Sequence, residues 1–233
     1  GSFVVFWIVV VPPVVSFRSS PSDLIEQAAL APSPDAAQPL VARSTRVCAY
    51  DRPDTRPDGT DRSTPVVQPH SVADDVADVV ELIDAAGLDG PFVVAAHSYG
   101  GLIADLLART RPDLVSGLVM IDPVSEFLPS VGTPAQNAAF DRDGRAPAIP
   151  DGEGILPDDA FTLIRAAPAL PEVPAAVLSA GKFPAAAALT PENYTLAQIH
   201  RANDLLAAAL GTTNRIVADS GHNMMLYSPQ VVA

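Results

Sequence analysis

A serine with very small neighbours follows an apolar run near the middle of this 233-residue chain. Residues 96–101 read Ala-His-Ser-Tyr-Gly-Gly, and Phe92 to Ala95 precede them. A serine on a tight turn between a strand and a helix needs small residues two positions before and after it, because larger side chains collide with the backbone. Ala96 and Gly100 meet this need. The pattern predicts a nucleophile elbow at Ser98, and the alternative is a glycine-rich turn with a hydrogen-bonded serine.

A nucleophilic serine also needs a base, because its hydroxyl is protonated at neutral pH. Of the four histidines, His222 is the best placed, since it directly follows the last predicted strand. His70 lies in a polar loop and His200 in a predicted helix, where solvent-facing or capping roles are favoured. His97 adjoins Ser98, and we expect its side chain to point away because neighbours on a tight turn do not face one another.

Strands and helices alternate around these residues. Apolar, β-branched runs predict strands at 46–50, 92–96, 117–121, 173–179 and 214–218, and helical spacing predicts helices at 71–87, 99–110 and 191–210. The alternation predicts an α/β fold with a doubly wound, mostly parallel sheet and helices on both faces. Ligands of such sheets bind beyond the carboxyl ends of the strands, where Ser98 and Asp122 fall.

Composition narrows the possible partners. The net charge of −13 and the pI near 4.4 oppose binding to nucleic acid or to an anionic membrane surface. Cys48 is the single cysteine, so neither an intramolecular disulfide nor a thiolate metal site can form. An apolar fraction of 48% with 18% charged residues indicates one globular domain. We expect no cofactor and no metal.

The amino-terminal run from Phe3 to Val15 is almost wholly apolar. It is shorter than the roughly 20 residues that span a bilayer, so we expect no stable membrane insertion. Its β-branched and aromatic residues favour a buried strand that ends at Pro12 and Pro13, and a remnant of a secretory signal is the alternative. The lack of an initiating methionine favours a processed or truncated chain. We expect a soluble protein, with the cytoplasm favoured over secretion.

Four segments together resemble the α/β-hydrolase fold superfamily. They are residues 46–53, the serine turn at 96–101, the strand ending in Ile121-Asp122-Pro123, and the Ser220-Gly221-His222 turn. The resemblance covers residues 45–233 and implies a hydrolase core at 1–122 and 173–233. Residues 123–172, where the alternating pattern lapses, are then expected to form a lid insertion. The chain order of serine, aspartate and histidine agrees with this fold.

The resemblance also implies a carboxylate that orients His222. In most relatives it follows the strand matched here by 173–179, but this loop contains Lys182 and no acid before Glu192. Some relatives carry the acid at the end of the strand after the elbow helix, where Asp122 stands. Asp122 is therefore the expected acid, with a structural turn aspartate as the alternative, and Asp219 is expected to be a turn or surface group.

The expected oxyanion donor is the backbone N–H of Tyr99, which opens a helix. Relatives take a second donor from the loop matched here by Pro12 and Pro13, which donate no N–H, so Val14 or a later residue would have to serve. The expected function is hydrolysis of a small to medium, moderately apolar carboxylic ester through an acyl-enzyme on Ser98. The alternatives are amide hydrolysis, acyl transfer, and a ligand-binding protein without catalysis.

Overall fold

The computed structural model describes residues 4–8, 36–50, 52–54, 66–146, 152–182 and 190–233, and for residues 4–8 it describes the backbone alone. The predicted strand at the amino terminus is present at Val4–Ile8. The predictions for Pro12, Pro13 and Val14 lie outside the described residues.

One parallel sheet forms the centre of the described part of the chain, with strand order β2-β1-β3-β4-β5-β6. Its strands are Val4–Ile8 (β1), Arg46–Tyr50 (β2), Phe92–His97 (β3), Val115–Ile121 (β4), Ala175–Ala180 (β5) and Asn214–Val217 (β6). The five strands predicted between residues 46 and 218 are all present, and their ends differ from the predicted ends by no more than two residues. The predicted α/β fold is confirmed.

Helices connect these strands. They are Gln38–Val41 (α1), Val72–Ala85 (α2), Gly100–Thr110 (α3), Leu128–Val131 (α4), Pro134–Arg145 (α5), Pro157–Ala166 (α6), Leu196–Ala209 (α7), Met224–Tyr227 (α8) and Pro229–Val232 (α9). The Ser71 side chain caps α2 by accepting a hydrogen bond from the Asp74 N–H, as the sequence predicts. Among the described residues, no helix has the length and apolar character needed to cross a bilayer.

Each face of the sheet packs against its own apolar cluster. Val94 and Leu118 point into the larger cluster, which also contains the buried sides of α2, α3 and α7. Ala95 and Ile121 point the other way, into a smaller cluster with residues of α1, α8 and α9. This alternation follows from the two-residue period of a strand. Helices therefore cover both faces, and the carboxyl ends of the strands remain as the edge where side chains can converge.

Residues 123–172 lie between β4 and β5, where the sequence pattern lapses, and their described parts, 123–146 and 152–172, contain three helices, α4 to α6. The start of α5 depends on a capping box between Thr133 and Gln136 rather than on an apolar periodicity. Phe161 and Ile164 of α6 are buried in the larger cluster. The buried residues of α6, Pro157, Ala160, Phe161 and Ile164, do follow helical spacing, so this helix carries a periodic signal in the sequence that α5 lacks.

A buried charge cluster attaches this connection to α3. Arg109 Nε donates to the Asp105 carboxylate at 2.5 Å, one terminal nitrogen of Arg109 donates to Glu126 at 2.5 Å, and the other donates to the Pro168 carbonyl at 2.9 Å. Burial of Asp105 disfavours its charge more than Arg109 favours it, and raises the pKa of this carboxyl to about 6. The cluster therefore carries an electrostatic cost that changes with pH.

Replacing Asp105 with asparagine should flatten the pH dependence of stability between about pH 4 and pH 6. The unfolded carboxyl loses its proton near pH 3.9 and the folded one near 6, so the unfolded chain binds fewer protons across this window. The free energy of unfolding should consequently fall as pH rises, by on the order of 3 kcal/mol from this group. Urea titrations at several pH values measure the slope.

The matched control is Asp84→Asn, which changes an exposed carboxyl near the end of α2. This variant should keep the wild-type slope. Equal slopes for Asp105→Asn and the wild type would contradict the assignment of this pH dependence to Asp105.

Candidate active site

Ser98 occupies the turn between β3 and α3 with a backbone φ of 54°, in the left-handed region that favours glycine. A residue with a side chain pays about 1–3 kcal/mol for this conformation, so the surrounding structure must hold it. The Ser98 N–H donates to the Ile121 carbonyl at 3.3 Å, and the Ser98 carbonyl accepts from the N–H groups of Gly101 at 2.9 Å and Val124 at 2.8 Å. The end of β4 thus holds the serine turn in place.

The small residues of the motif make this contact possible. Ala96 is completely buried under the turn. A β-carbon on Gly101 would lie 2.6 Å from Cβ of Pro123 and 2.9 Å from the carbonyl oxygen of Val124, so only glycine lets α3 approach the end of β4 this closely. The serine motif predicts the need for a small residue at Gly100 but not the close approach that requires glycine at Gly101.

Asp122 follows β4 and also has a left-handed backbone, with a φ of 41°. Its N–H donates to the Leu178 carbonyl at 2.7 Å, and its Oδ1 accepts from the Ala180 N–H at 3.0 Å. These two bonds to β5 aim the carboxylate along the end of the sheet. Its other oxygen, Oδ2, accepts a hydrogen bond from Nδ1 of His222 at 2.7 Å.

His222 completes a hydrogen-bonded series with the serine. Its Nε2 lies 3.1 Å from Oγ of Ser98. The Asp122 carboxylate can only accept a hydrogen bond, so Nδ1 carries the ring proton and Nε2 is left to accept from the Ser98 hydroxyl. The structure therefore brings together the three residues that the sequence nominated, in the order serine, histidine, aspartate.

The Asp122 side chain is ionised and can act as a negatively charged partner for His222. Burial disfavours the Asp122 carboxylate, but the hydrogen bonds and charge of His222 and the hydrogen bond from the Ala180 N–H outweigh it, and the pKa of Asp122 lies below its usual value. The carboxylate is therefore ionised at neutral pH and can stabilise a positive charge on His222.

His70, His200 and Asp219 have partners outside the series formed by Ser98, His222 and Asp122. Lys182 and Asp219 form an exposed ion pair with a nitrogen to oxygen distance of 3.6 Å. His70 lies 3.2 Å from a carboxylate oxygen of Asp78, and Nε2 of His200 donates to the Ala180 carbonyl at 2.8 Å. In the described part of the chain, no three His, Cys, Asp or Glu side chains lie together as a metal site would require.

His97 makes a contact with His222 that the sequence does not predict. Its Nε2 donates to the backbone carbonyl of His222 at 2.8 Å, and the two imidazole rings lie with their centroids 4.4 Å apart. This contact joins residues 125 positions apart in the chain. Local spacing carries no signal for it, so the sequence analysis missed it.

A buried network lies under the residue that follows the serine. The Tyr99 hydroxyl donates to Asp75 at 2.9 Å, and the guanidinium of Arg52 lies 5.5 Å from the centre of the Tyr99 ring. Arg52 also donates two hydrogen bonds of 2.5 Å to Glu153, which belongs to the β4–β5 connection. Burial raises the pKa of Asp75 to about 6, against the lowering effect of Arg52. The network fixes the Tyr99 side chain and links it to the connection.

Comparison with known proteins identifies the family. The family described as the alpha/beta hydrolase family has a model that matches residues 24–233. This chain belongs to the alpha/beta hydrolase family. The resemblance seen in the sequence is thereby confirmed, and the match extends further towards the amino terminus than the four segments that suggested it.

Two curated relatives of this alpha/beta hydrolase share shorter stretches with it. Lipase LipV of Mycobacterium tuberculosis is 44% identical over 60 residues, which are 26% of this chain and 23% of that protein. An uncharacterized protein of Schizosaccharomyces pombe is 32% identical over 85 residues, which are 36% of this chain and 15% of that protein. The match thus spans less than a quarter of the length of either relative.

Solved structures resemble this hydrolase over nearly its whole length. Carboxylesterase CesB of Bacillus subtilis has a TM-score of 0.57 at 16% identity, covering 99% of this chain and 81% of that chain. The enol-lactonase of Burkholderia xenovorans has a TM-score of 0.56 at 16% identity, and the match covers 99% of this chain and 88% of that chain. Est816, an N-acyl homoserine lactone degrading enzyme, has a TM-score of 0.56 at 19% identity, with coverage of 99% and 90%. At these identities the likeness concerns the fold alone.

The Arg52 network predicts a large stability effect at one position. Arg52→Met removes the cation that faces the buried Glu153 and Asp75 carboxylates, and leaving such charges uncompensated costs about 3–5 kcal/mol. Urea unfolding at pH 7 should show a loss of this size.

A control variant and a double variant serve as comparisons for Arg52→Met. Arg111→Ala breaks an exposed ion pair with Asp113 and should leave the free energy of unfolding nearly unchanged, because solvent screens exposed pairs. Adding Glu153→Leu to Arg52→Met should recover part of the loss, because one of the stranded charges is then removed. An Arg52→Met variant as stable as Arg111→Ala would show that the network does not stabilise the fold.

Proposed function

We propose that this protein is a serine hydrolase that cleaves a carboxylic ester through an acyl-enzyme intermediate on Ser98. The observation that carries the proposal is the series of two hydrogen bonds, 3.1 Å from Ser98 to His222 and 2.7 Å from His222 to Asp122. A glycine-rich turn with a merely hydrogen-bonded serine requires neither a histidine at the hydroxyl nor a carboxylate behind that histidine.

The first half of the reaction forms the acyl-enzyme. Ser98 Oγ attacks the ester carbonyl carbon while His222 Nε2 accepts the hydroxyl proton, and the carbonyl electron pair moves onto oxygen. The Asp122 carboxylate stabilises the imidazolium. When the tetrahedral intermediate collapses, the bond to the leaving oxygen breaks and His222 returns the proton to that oxygen, which releases the alcohol.

The second half hydrolyses the acyl-enzyme by the same steps. Water gives a proton to Nε2 of His222 and attacks the acyl carbon, and collapse of the intermediate expels Ser98 Oγ, which recovers its proton from His222. The products are the carboxylic acid and free enzyme. No step requires a cofactor or a metal.

The backbone N–H of Tyr99 is the proposed donor to the negative oxygen of both intermediates. Tyr99 directly follows the nucleophile and caps the amino terminus of α3, where the helix dipole favours negative charge. The buried hydrogen bond of its hydroxyl to Asp75 holds the residue in position. A fixed donor is more effective than a mobile one, because it needs no rearrangement as charge develops.

Residues 123–172 are proposed to act as a lid or wall of the substrate site, between core segments at 1–122 and 173–233. Support comes from the first residues of the connection, since the Val124 N–H donates to the carbonyl of Ser98. The connection therefore begins against the proposed nucleophile, as a lid or wall of the substrate site would.

An ester as substrate is supported by the names of similar proteins. LipV is named a lipase and CesB a carboxylesterase, and two other structural neighbours are named for lactones, which are cyclic esters. A small p-nitrophenyl ester is therefore the first substrate to test.

A fluorophosphonate probe should label Ser98 in the intact protein, because such probes react with activated serines. Labelling should vanish in Ser98→Ala, and turnover of p-nitrophenyl butyrate should fall by about 10⁴-fold or more in His222→Ala. His70→Ala is the matched control and should keep wild-type turnover. Folded wild-type protein that neither reacts with the probe nor hydrolyses the ester would refute the proposed function.

Asp122→Asn should lower kcat for the same ester by about 10⁴-fold, because the amide cannot hold the required tautomer of His222 or stabilise its charge. Asp219→Asn changes an exposed carboxylate that pairs with Lys182 and should leave kcat unchanged. Near-normal turnover in Asp122→Asn would move the role of the acid to another residue.

A further inference from the structure

We propose that His97 is a positioning residue that holds the base His222 in line with the nucleophile. The inference rests on the proposed function, since it assigns His97 a task only if His222 acts on Ser98. It goes beyond the three residues of the hydrogen-bonded series, because His97 is not part of that series.

The contact between the two histidines has a defined direction. A backbone carbonyl can only accept a hydrogen bond, so Nε2 of His97 carries a proton and donates it to the carbonyl of His222 at 2.8 Å. A nitrogen that donates in this way cannot serve as the base. The rings also touch, with centroids 4.4 Å apart and planes tilted by 42°. His97 therefore acts on both the backbone and the ring of His222.

The two partners differ in how firmly they are held. His97 is 1% exposed and is the last residue of β3, where it pairs with Ile121 in the centre of the sheet. The His222 side chain is 45% exposed and belongs to the segment between β6 and α8. The carbonyl of His222 also accepts from the N–H of Met224 at 2.8 Å, which is a local bond within the same segment. The bond from His97 joins this segment to the sheet.

This connection matters because the ring of His222 must satisfy two partners at once. Nδ1 has to face Asp122 at the end of β4, and Nε2 has to face Ser98 at the end of β3. A shift of the His222 backbone by about 1 Å would misalign the bond to Ser98, and misplacements of that size can lower rates by about 100-fold. His97 precedes Ser98 directly, so the residue that holds the base is the chain neighbour of the nucleophile.

The experiment compares three substitutions that differ in whether a hydrogen-bond donor can reach the carbonyl of His222. In His97→Gln the amide nitrogen can reach the place of Nε2 and donate to the carbonyl of His222. His97→Asn has a similar amide on a shorter side chain that stops short of this point, and His97→Leu has no donor. For p-nitrophenyl butyrate, kcat should fall by about 10- to 100-fold in the asparagine and leucine variants while KM stays near the wild-type value. The glutamine variant should recover most of the loss.

A spectroscopic measurement follows the base itself. The proton between Nδ1 of His222 and Asp122 should give a downfield NMR signal in the wild type and in His97→Gln, and this signal should broaden or vanish in His97→Asn. Urea unfolding of each variant separates a loss of position from a loss of fold. If His97→Leu does not fold, the glutamine and asparagine pair decides the outcome.

Several results would overturn the proposal. A wild-type kcat in folded His97→Asn or His97→Leu would do so. A kcat that falls as far in His97→Gln as in His97→Asn would also do so. Failure of all three variants to fold would overturn it too, because it would assign His97 a structural role. In each of these cases the wild type still hydrolyses the ester. An inert wild-type protein, in contrast, refutes the proposed function itself.

Discussion

Two left-handed residues at the ends of adjacent parallel strands determine the geometry of the whole site. Ser98 follows β3 and Asp122 follows β4, and the backbone bonds of Ser98 to Ile121 and Val124 join the two turns. The pairing of His97 with Ile121 brings β3 and β4 to an end at the same level. The register of the central strands therefore sets the distance between Ser98 and Asp122, and one strained turn supports the other.

His222, the third member of the hydrogen-bonded series, follows a more distant strand and is held by different contacts. β6 lies two strands beyond β4, and the residues that follow it lead His222 back across the carboxyl edge of the sheet. Its partners are a carboxylate fixed by β5, a hydroxyl fixed by the elbow, and the buried ring at the end of β3. The exposed imidazole of His222 is thus held in place by groups that are themselves buried.

The features that depended on neighbours in sequence were predictable. The turn at Ser98, the strands that flank it and the nomination of His222 followed from local patterns together with chain order. The nomination of Asp122 depended on the resemblance to the family. The features that the sequence analysis missed depend on long-range packing, for example the bond of Arg52 to Glu153 across 101 residues, and the contact of His97 with His222. The helix α5 was hard to predict for a further reason, because a capping box rather than a continuous apolar face marks its start.

The pair formed by Arg52 and Glu153 limits how this protein can exchange parts with its relatives. The cation belongs to the loop after β2, and the anion that neutralises it belongs to the connection between β4 and β5. A chimera that received this connection from another member of the family would keep the buried guanidinium and lose its carboxylate, unless the incoming segment supplied an acid at the same point. Exchange of this connection between relatives is consequently a problem of matching charge in the interior as well as shape at the surface.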